Sequence, residues 1–237
     1  MLRQPPASVD APPASAAAEV SHSKWKWLMA AGIISALGCM TFLSAPLFIR
    51  QCKCCGGQTE AVSNIRQLGL ALFEFEAEYG SFPDPSTIAR VRGKTDLMLS
   101  MGTTTSNDYF RQLLEAGIAS SETMFHTRLP GKPMKPDNIF SPGEALKKGE
   151  CSFTYLLGAR ASDNPGRPLV VAPMIPGTDR FDPKAFEGKA IILTKDNRAM
   201  SLSIDKHGHA ILQGGRNLMD PSNPIWDGHP PTIAWPE

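Results

Sequence analysis

Residues 27–49 run for 23 positions without a charge. About 20 apolar residues in a row cross a hydrocarbon core as a helix. Lys24, Trp25, Lys26 and Trp27 stand at one end, Arg50 and Lys53 at the other. Cations and tryptophans at these places anchor a span at the headgroup level. The run therefore predicts a transmembrane helix over 24–50, and Pro46 falls in its last turn, where a kink is tolerated. The stretch is long for a cleaved signal peptide, and no small-x-small site followed by a polar start closes it. Leu37-Gly38-Cys39 resembles a lipoprotein acylation site, but ten further apolar or small residues follow it, so acylation there would leave a hydrophobic start. Cations on the two sides nearly tie, so charge does not set the orientation.

The segment before the span, residues 1–23, holds six Ala, four Pro and four Ser and no aromatic residue. Such a composition buries too little apolar surface to offset its ordering entropy, and a disordered tail is expected. Over the whole chain, 24 Lys+Arg face 23 Asp+Glu, a net charge of +1. That balance leaves no cationic surplus for phosphates and excludes a strongly basic nucleic-acid binder, so no nucleic-acid partner is expected. Five cysteines in 237 residues are too few for a disulfide scaffold.

After a joint at 51–57 ending in Gly56-Gly57, residues 58–79 read as an amphipathic helix. Val62, Ile65, Leu68, Leu72, Phe75 and Tyr79 form one apolar stripe. Gly80 is a candidate C-cap, and Pro83 stops continuation. Glu74, Glu76 and Glu78 oppose the helix dipole, so packing of the stripe must hold the helix. A second helix is expected at 106–118, capped by Ser106 or Asn107. Residues 121–125 read as one more turn, and the proline-rich 127–150 as a surface loop. Short apolar runs at 153–157, 168–172, 190–194, 199–204 and 210–212 read as strands. Lys195–Arg198 and Asp205–Gly208 are hairpin turns. Consecutive strands joined by short turns give an antiparallel sheet, hence an α+β domain over 58–237. Trp226 and Trp235 are expected to pin an irregular tail, 214–237, onto it.

Ser63-Asn64-Ile65-Arg66-Gln67-Leu68-Gly69-Leu70-Ala71-Leu72, then Phe75, then Tyr79-Gly80-Ser81-Phe82-Pro83-Asp84, follow one span and precede the strands. This order resembles bacterial type IV pilin-like proteins, above all the pseudopilins of type II secretion, over about 61–84. The resemblance implies a stalk helix packed on a small antiparallel sheet. It also implies a bacterial inner-membrane protein, N-terminus cytoplasmic and C-terminal domain periplasmic, acting with other pilin-like or secretion-system subunits and membrane lipid. Prepilins carry a Gly cleavage site followed by a helix with Glu at its fifth position. No Gly precedes this span and no acid lies within it. The resemblance thus implies an uncleaved, anchored protein. A stand-alone binding or sensor module of the envelope and an anchored hydrolase are the alternatives.

Asp205, His207 and His209 would share a strand face, but Gly208 places them in a turn. Asp179, Asp182 and Asp196 are oxygen ligands of the calcium type, and some pseudopilins hold calcium in a late loop. Cys52, Cys54 and Cys55 read as membrane-edge cysteines with no fixed partner, or as acylated ones; they would need a fourth ligand to close a tetrahedral metal site, and outside the cytoplasm they could oxidise or pair with Cys151. As a nucleophile, Cys151 would need a histidine beside it. Hydrolase, metalloprotease, phosphate-loop and dinucleotide motifs are absent from the sequence. No catalytic, cofactor-binding or metal residue is assigned, no cofactor is expected, and the chain is read as a non-enzyme.

Overall fold

A computed structural model describes residues 27, 29, 32, 33, 35, 57–130 and 134–237. The chain divides into Met1–Cys52 and Lys53–Glu237. In the first unit the five described residues are helical. The rest of the 24–50 span, the 1–23 tail and residues 51–56 of the joint lie outside the described residues. No helix among the described residues is long and apolar enough to cross a membrane.

The second unit is α+β. Helix α1 is continuous over 57–79, so Gly57, assigned above to the joint, is helical. Its buried stripe is Ala61, Ile65, Leu68, Leu72 and Phe75, all at 0% exposure, with Tyr79 at 5%. The spacing 4, 3, 4, 3, 4 keeps these side chains on one face. Val62, expected in the stripe, is half-buried. Asn64 is buried instead, because its amide donates to the carbonyls of Thr123 (3.1 Å) and His126 (2.7 Å). Burying a large apolar side chain contributes about 1.5–3 kcal/mol, so Ile65, Leu68, Leu72 and Phe75 together outweigh any dipole penalty from the glutamates of the last turns. The helix ends where Gly80 turns left-handed (φ +78°) and its amide returns to Glu76 O at 2.7 Å.

Two short helices follow, α2 (Ile88–Val91) and α3 (Ser106–Glu115). The cap of α3 is Thr105, one residue before the expected position. Its hydroxyl accepts from Asp108 N while the Asp108 carboxylate accepts from Thr105 N, a reciprocal capping box. Burial alone would raise the Asp108 carboxyl, but the amides and hydroxyls of Thr104 and Thr105 outweigh it and hold it below the usual range. Gly117 (φ +73°) ends α3 earlier than 118.

The described strands are β1 (Thr154–Leu157), β2 (Pro168–Ala172), β3 (Lys189–Thr194), β4 (Ala199–Ile204), β5 (Ala210–Ile211) and β6 (Thr232–Ala234). They form one antiparallel sheet in the order β5-β4-β3-β2-β1-β6. The first five match the expected runs within two residues. Strand β6 was not expected. It is three residues long, follows Pro230-Pro231, and forms by pairing with β1 at Tyr155, Leu156 and Leu157.

Alternation divides the sheet into two buried faces. Tyr155, Val170, Ile191 and Leu193 join α1 and α3 in one core. Leu156, Val171, Ala190 and Ile192 face a second core with Phe181, Leu218, Met219 and Trp226. Central strands covered on both sides read as unbroken apolar runs, as in Ala190-Ile191-Ile192-Leu193. The second cover is fixed by Arg167, which is 1% exposed. Its guanidinium donates to Trp226 O (3.2 Å) and His229 O (2.8 Å), pairs with buried Asp163 (3.4 Å), and lies 5.3 Å from the Trp226 ring centroid.

Gly69 stands where α1 comes nearest to β3. A Cβ there would lie 2.9 Å from Leu193 Cδ1 and closer still to Asn197 Oδ1. Helix propensity favours Gly69→Ala by about 1 kcal/mol, whereas overpacking costs about 1–3 kcal/mol. Gly69→Ala is expected to lower Tm, and Leu72→Ala or Phe75→Ala to cost about 2–5 kcal/mol. Glu74→Ala, on the exposed face, should change stability by less than about 0.5 kcal/mol. Arg167→Ala leaves Asp163 buried and unpaired and should cost about 3–5 kcal/mol. Denaturant titration of the five variants checks all of this.

Candidate functional site

Ser121 begins a 3-10 turn, Glu122–Phe125, by accepting from Thr123 N. This aims Glu122 away from solvent and toward the loop before β1. Glu122 is 0% exposed. One carboxylate oxygen accepts Asn138 N at 2.8 Å and the other accepts Leu146 N at 2.5 Å. Asn138 answers by accepting Glu122 N through its side-chain oxygen at 2.8 Å. Asn138 and Leu146 both have left-handed backbones (φ 60° and 46°), uncommon for residues other than glycine. Two strained residues thus present their amides to one buried carboxylate.

The same loop is bolted to α3. Asn107 donates to Leu146 O (2.8 Å) and Lys147 O (3.2 Å), and Arg111 donates to Ala145 O (2.8 Å) and Leu146 O (3.0 Å). The last residue joins in, with Glu237 O accepting from Gly149 N at 3.1 Å.

Glu150 closes the arrangement. It is also 0% exposed. Its Oε2 accepts Lys147 N at 2.8 Å, while Oε1 is buried with no hydrogen-bond partner. Carboxylate oxygens of Glu122, Asp137 and Glu150 lie within 4.8 Å of one another, the one such grouping of three metal-type ligands among the described residues. The Lys147 ammonium meets Asp137 (2.6 Å) and Glu144 (3.2 Å). That contact holds the Asp137 carboxyl below the usual range. Desolvation raises the Glu150 carboxyl, and the charges of Glu122 and Asp137 add to the rise. Among the described residues the arrangement concentrates negative charge, half of it away from water, with Lys147 paired to its outer members. Such a centre can take up a proton or a cation.

The residues singled out in the sequence lie elsewhere. Asp205 orders the β4–β5 turn, accepting the amides of His207 and His209 at 2.8 Å each, with His209 Nδ1 at 3.3 Å. The two histidines flank the turn with ring centroids 6.1 Å apart. Asp182 caps Lys184 N (2.9 Å), Asp196 holds Thr194 and Arg198, and Asp179 is exposed. Cys52, Cys54 and Cys55 fall outside the described residues. Cys151 is buried, its Sγ 3.6 Å from Ser106 Oγ and 3.4 Å from Phe153 O. Sequence reasoning missed Glu122, Asp137 and Glu150, since no periodicity or motif links positions 15 and 13 residues apart on a proline-rich loop. A separate cleft of about 600 Å³ opens beside Arg92, Asp96, Met98, Met101 and Glu115.

No protein-family model, curated protein or solved structure matches this chain.

A glutamate in an unfolded chain titrates near 4.3. With its folded value raised, Glu150 makes the native state bind more protons than the unfolded one between the two values. Its contribution to stability is present below about 4.3 and is lost as pH rises through the folded value. In EDTA, Glu150→Gln should match the parent near pH 4 and gain in Tm over it toward pH 7. A Tm difference that is constant over that range contradicts the assignment.

Proposed function

We propose that this chain is a single-pass envelope protein of pilin-like design, acting by lateral protein contacts in a secretion or surface assembly. One observation carries the reading. Helix α1 lies with one face on an antiparallel sheet, and it begins eight residues after a charge-free, membrane-length run. A stalk helix continued from a membrane span is the arrangement that the local resemblance over 61–84 implies.

The outer face of α1 supplies the contact surface in this account. Ser63, Arg66, Gln67, Glu74 and Glu78 are exposed, and Leu70 among them is 62% exposed. One large apolar side chain inside a polar helical face suits weak, exchangeable association. The span would add contacts within lipid, and with no acidic residue there to set register, association should depend on other subunits. On this reading the N-terminus is cytoplasmic and residues 58–237 are periplasmic. The cleft beside Met98 and Met101 favours a second reading, a stand-alone binding module on the same scaffold.

Single cysteines at Gln67 or Glu74, with Cys39, Cys52, Cys54 and Cys55 replaced and buried Cys151 retained, separate the two. In native membranes, full-length protein should crosslink through these positions to other membrane proteins, and an exposed control such as Asp220→Cys should not. A lone monomer at both stalk positions rejects the assembly reading in favour of the binding module.

A further inference from the structure

We propose that Glu122, Asp137 and Glu150 hold a calcium ion. The inference stands on the side-chain cluster before β1 and is independent of the assembly reading. It also lies away from Asp179 and Asp182 before β3 and Asp196 after it, the oxygen ligands that the sequence offered for calcium.

The donor set is all oxygen, the chemistry of hard divalent cations. Its oxygens lie within 4.8 Å of one another. Calcium binds oxygen at about 2.3–2.6 Å, so opposed ligands stand about 4.6–5.2 Å apart, whereas magnesium would draw opposed ligands to about 4.2 Å or less. Calcium accepts about six to eight oxygens in flexible geometry, so it tolerates carboxylates already fixed by backbone amides, whereas magnesium demands a near-ideal octahedron.

An acidic cluster alone is common on protein surfaces. This one is distinguished by Glu150, fully buried with Oε1 unpartnered. The two oxygens of a carboxylate share one carbon, so the orphan belongs to the cluster. An unpaired buried polar atom is costly, and a carboxylate oxygen that finds no donor in the protein is a ready ligand. Glu122 spends each oxygen on one amide and keeps its remaining lone pairs. Asp137 is exposed and gives the ion a route in from solvent, with water completing its shell. Charge argues the same way: among the described residues Lys147 is the cation paired with Asp137 and Glu144, and carboxylate oxygens of Glu122 and Glu150 stand within 4.8 Å of one on Asp137. A divalent cation would release Lys147 from Asp137 and balance the buried pair.

The test titrates calcium chloride into purified full-length protein stripped with EDTA, following heat and Tm. One ion per chain and a rise in Tm are expected. Changes outside the ligand shell already lower metal affinity 10–100-fold, so Glu150→Gln should weaken binding at least about tenfold. Asp137→Asn, at an exposed position where folding is not at stake, should do the same and lose the Tm rise. Absence of binding up to about 10 mM, ten times the weakest affinities of extracellular sites, overturns the proposal. So does binding that both variants leave unchanged, which would mean diffuse attraction to surface acids, or equal affinity for magnesium.

Discussion

The contact between the apolar face of α1 and one side of the sheet organises everything else in residues 57–237. Ile65, Leu68, Leu72 and Phe75 reach 0% exposure in a core that they share with Val170, Ile191 and Leu193 of β2 and β3. A strand buried on one face alternates apolar and polar residues. Strand β3 does not, so its other face needs a cover as well. The segment after β5 supplies it, crossing that face from the β5 edge to pair as β6 on the far edge. Arg167, itself paired with Asp163, then ties this cover to the sheet with two carbonyl bonds and the Trp226 ring. The tail is thus a structural consequence of two-sided burial rather than an appendage.

Much of this fold was legible because local signals agreed with one another. The α1 stripe has helical period, Gly80 and Pro83 close it, and the five apolar runs are separated by turn residues that the backbone uses as turns. Three features were not legible. Strand β6 has no intrinsic signal beside Pro230-Pro231 and exists through its partner β1. Asn64 sits at a position that polarity would send to solvent, and only the carbonyls of Thr123 and His126 keep it inside. Thr105 outcompetes Ser106 and Asn107 as cap because their side chains are engaged elsewhere, Ser106 Oγ with Cys151 Sγ and Asn107 with the loop before β1.

The candidate site illustrates the same limit more strongly. Single-residue chemistry drew attention to histidines and cysteines, yet the Asp205–His209 turn uses its aspartate to order backbone. The charge-rich centre was assembled from a 3-10 turn, a loop and the approach to β1, three places with no common period. What brings them together is backbone satisfaction: the amides of Asn138, Leu146 and Lys147 find their acceptors in Glu122 and Glu150. A carboxylate used this way is structural first, and its surplus charge is what makes it available to a cation. The outer face of α1 differs again: Ser63, Arg66, Gln67, Leu70 and Glu74 are exposed, and Glu78 is tied back to its own domain by Lys94.

Native-state hydrogen exchange tests the central claim, that α1 and the sheet are one cooperative unit rather than a helix leaning on a finished domain. Amides of α1 from Ile65 to Phe75 and those of Ile191 and Ile192 in β3 should exchange with the same opening free energy and the same denaturant dependence, both set by global unfolding. Exchange of α1 through a separate, lower-energy opening while β3 stays protected would contradict the account.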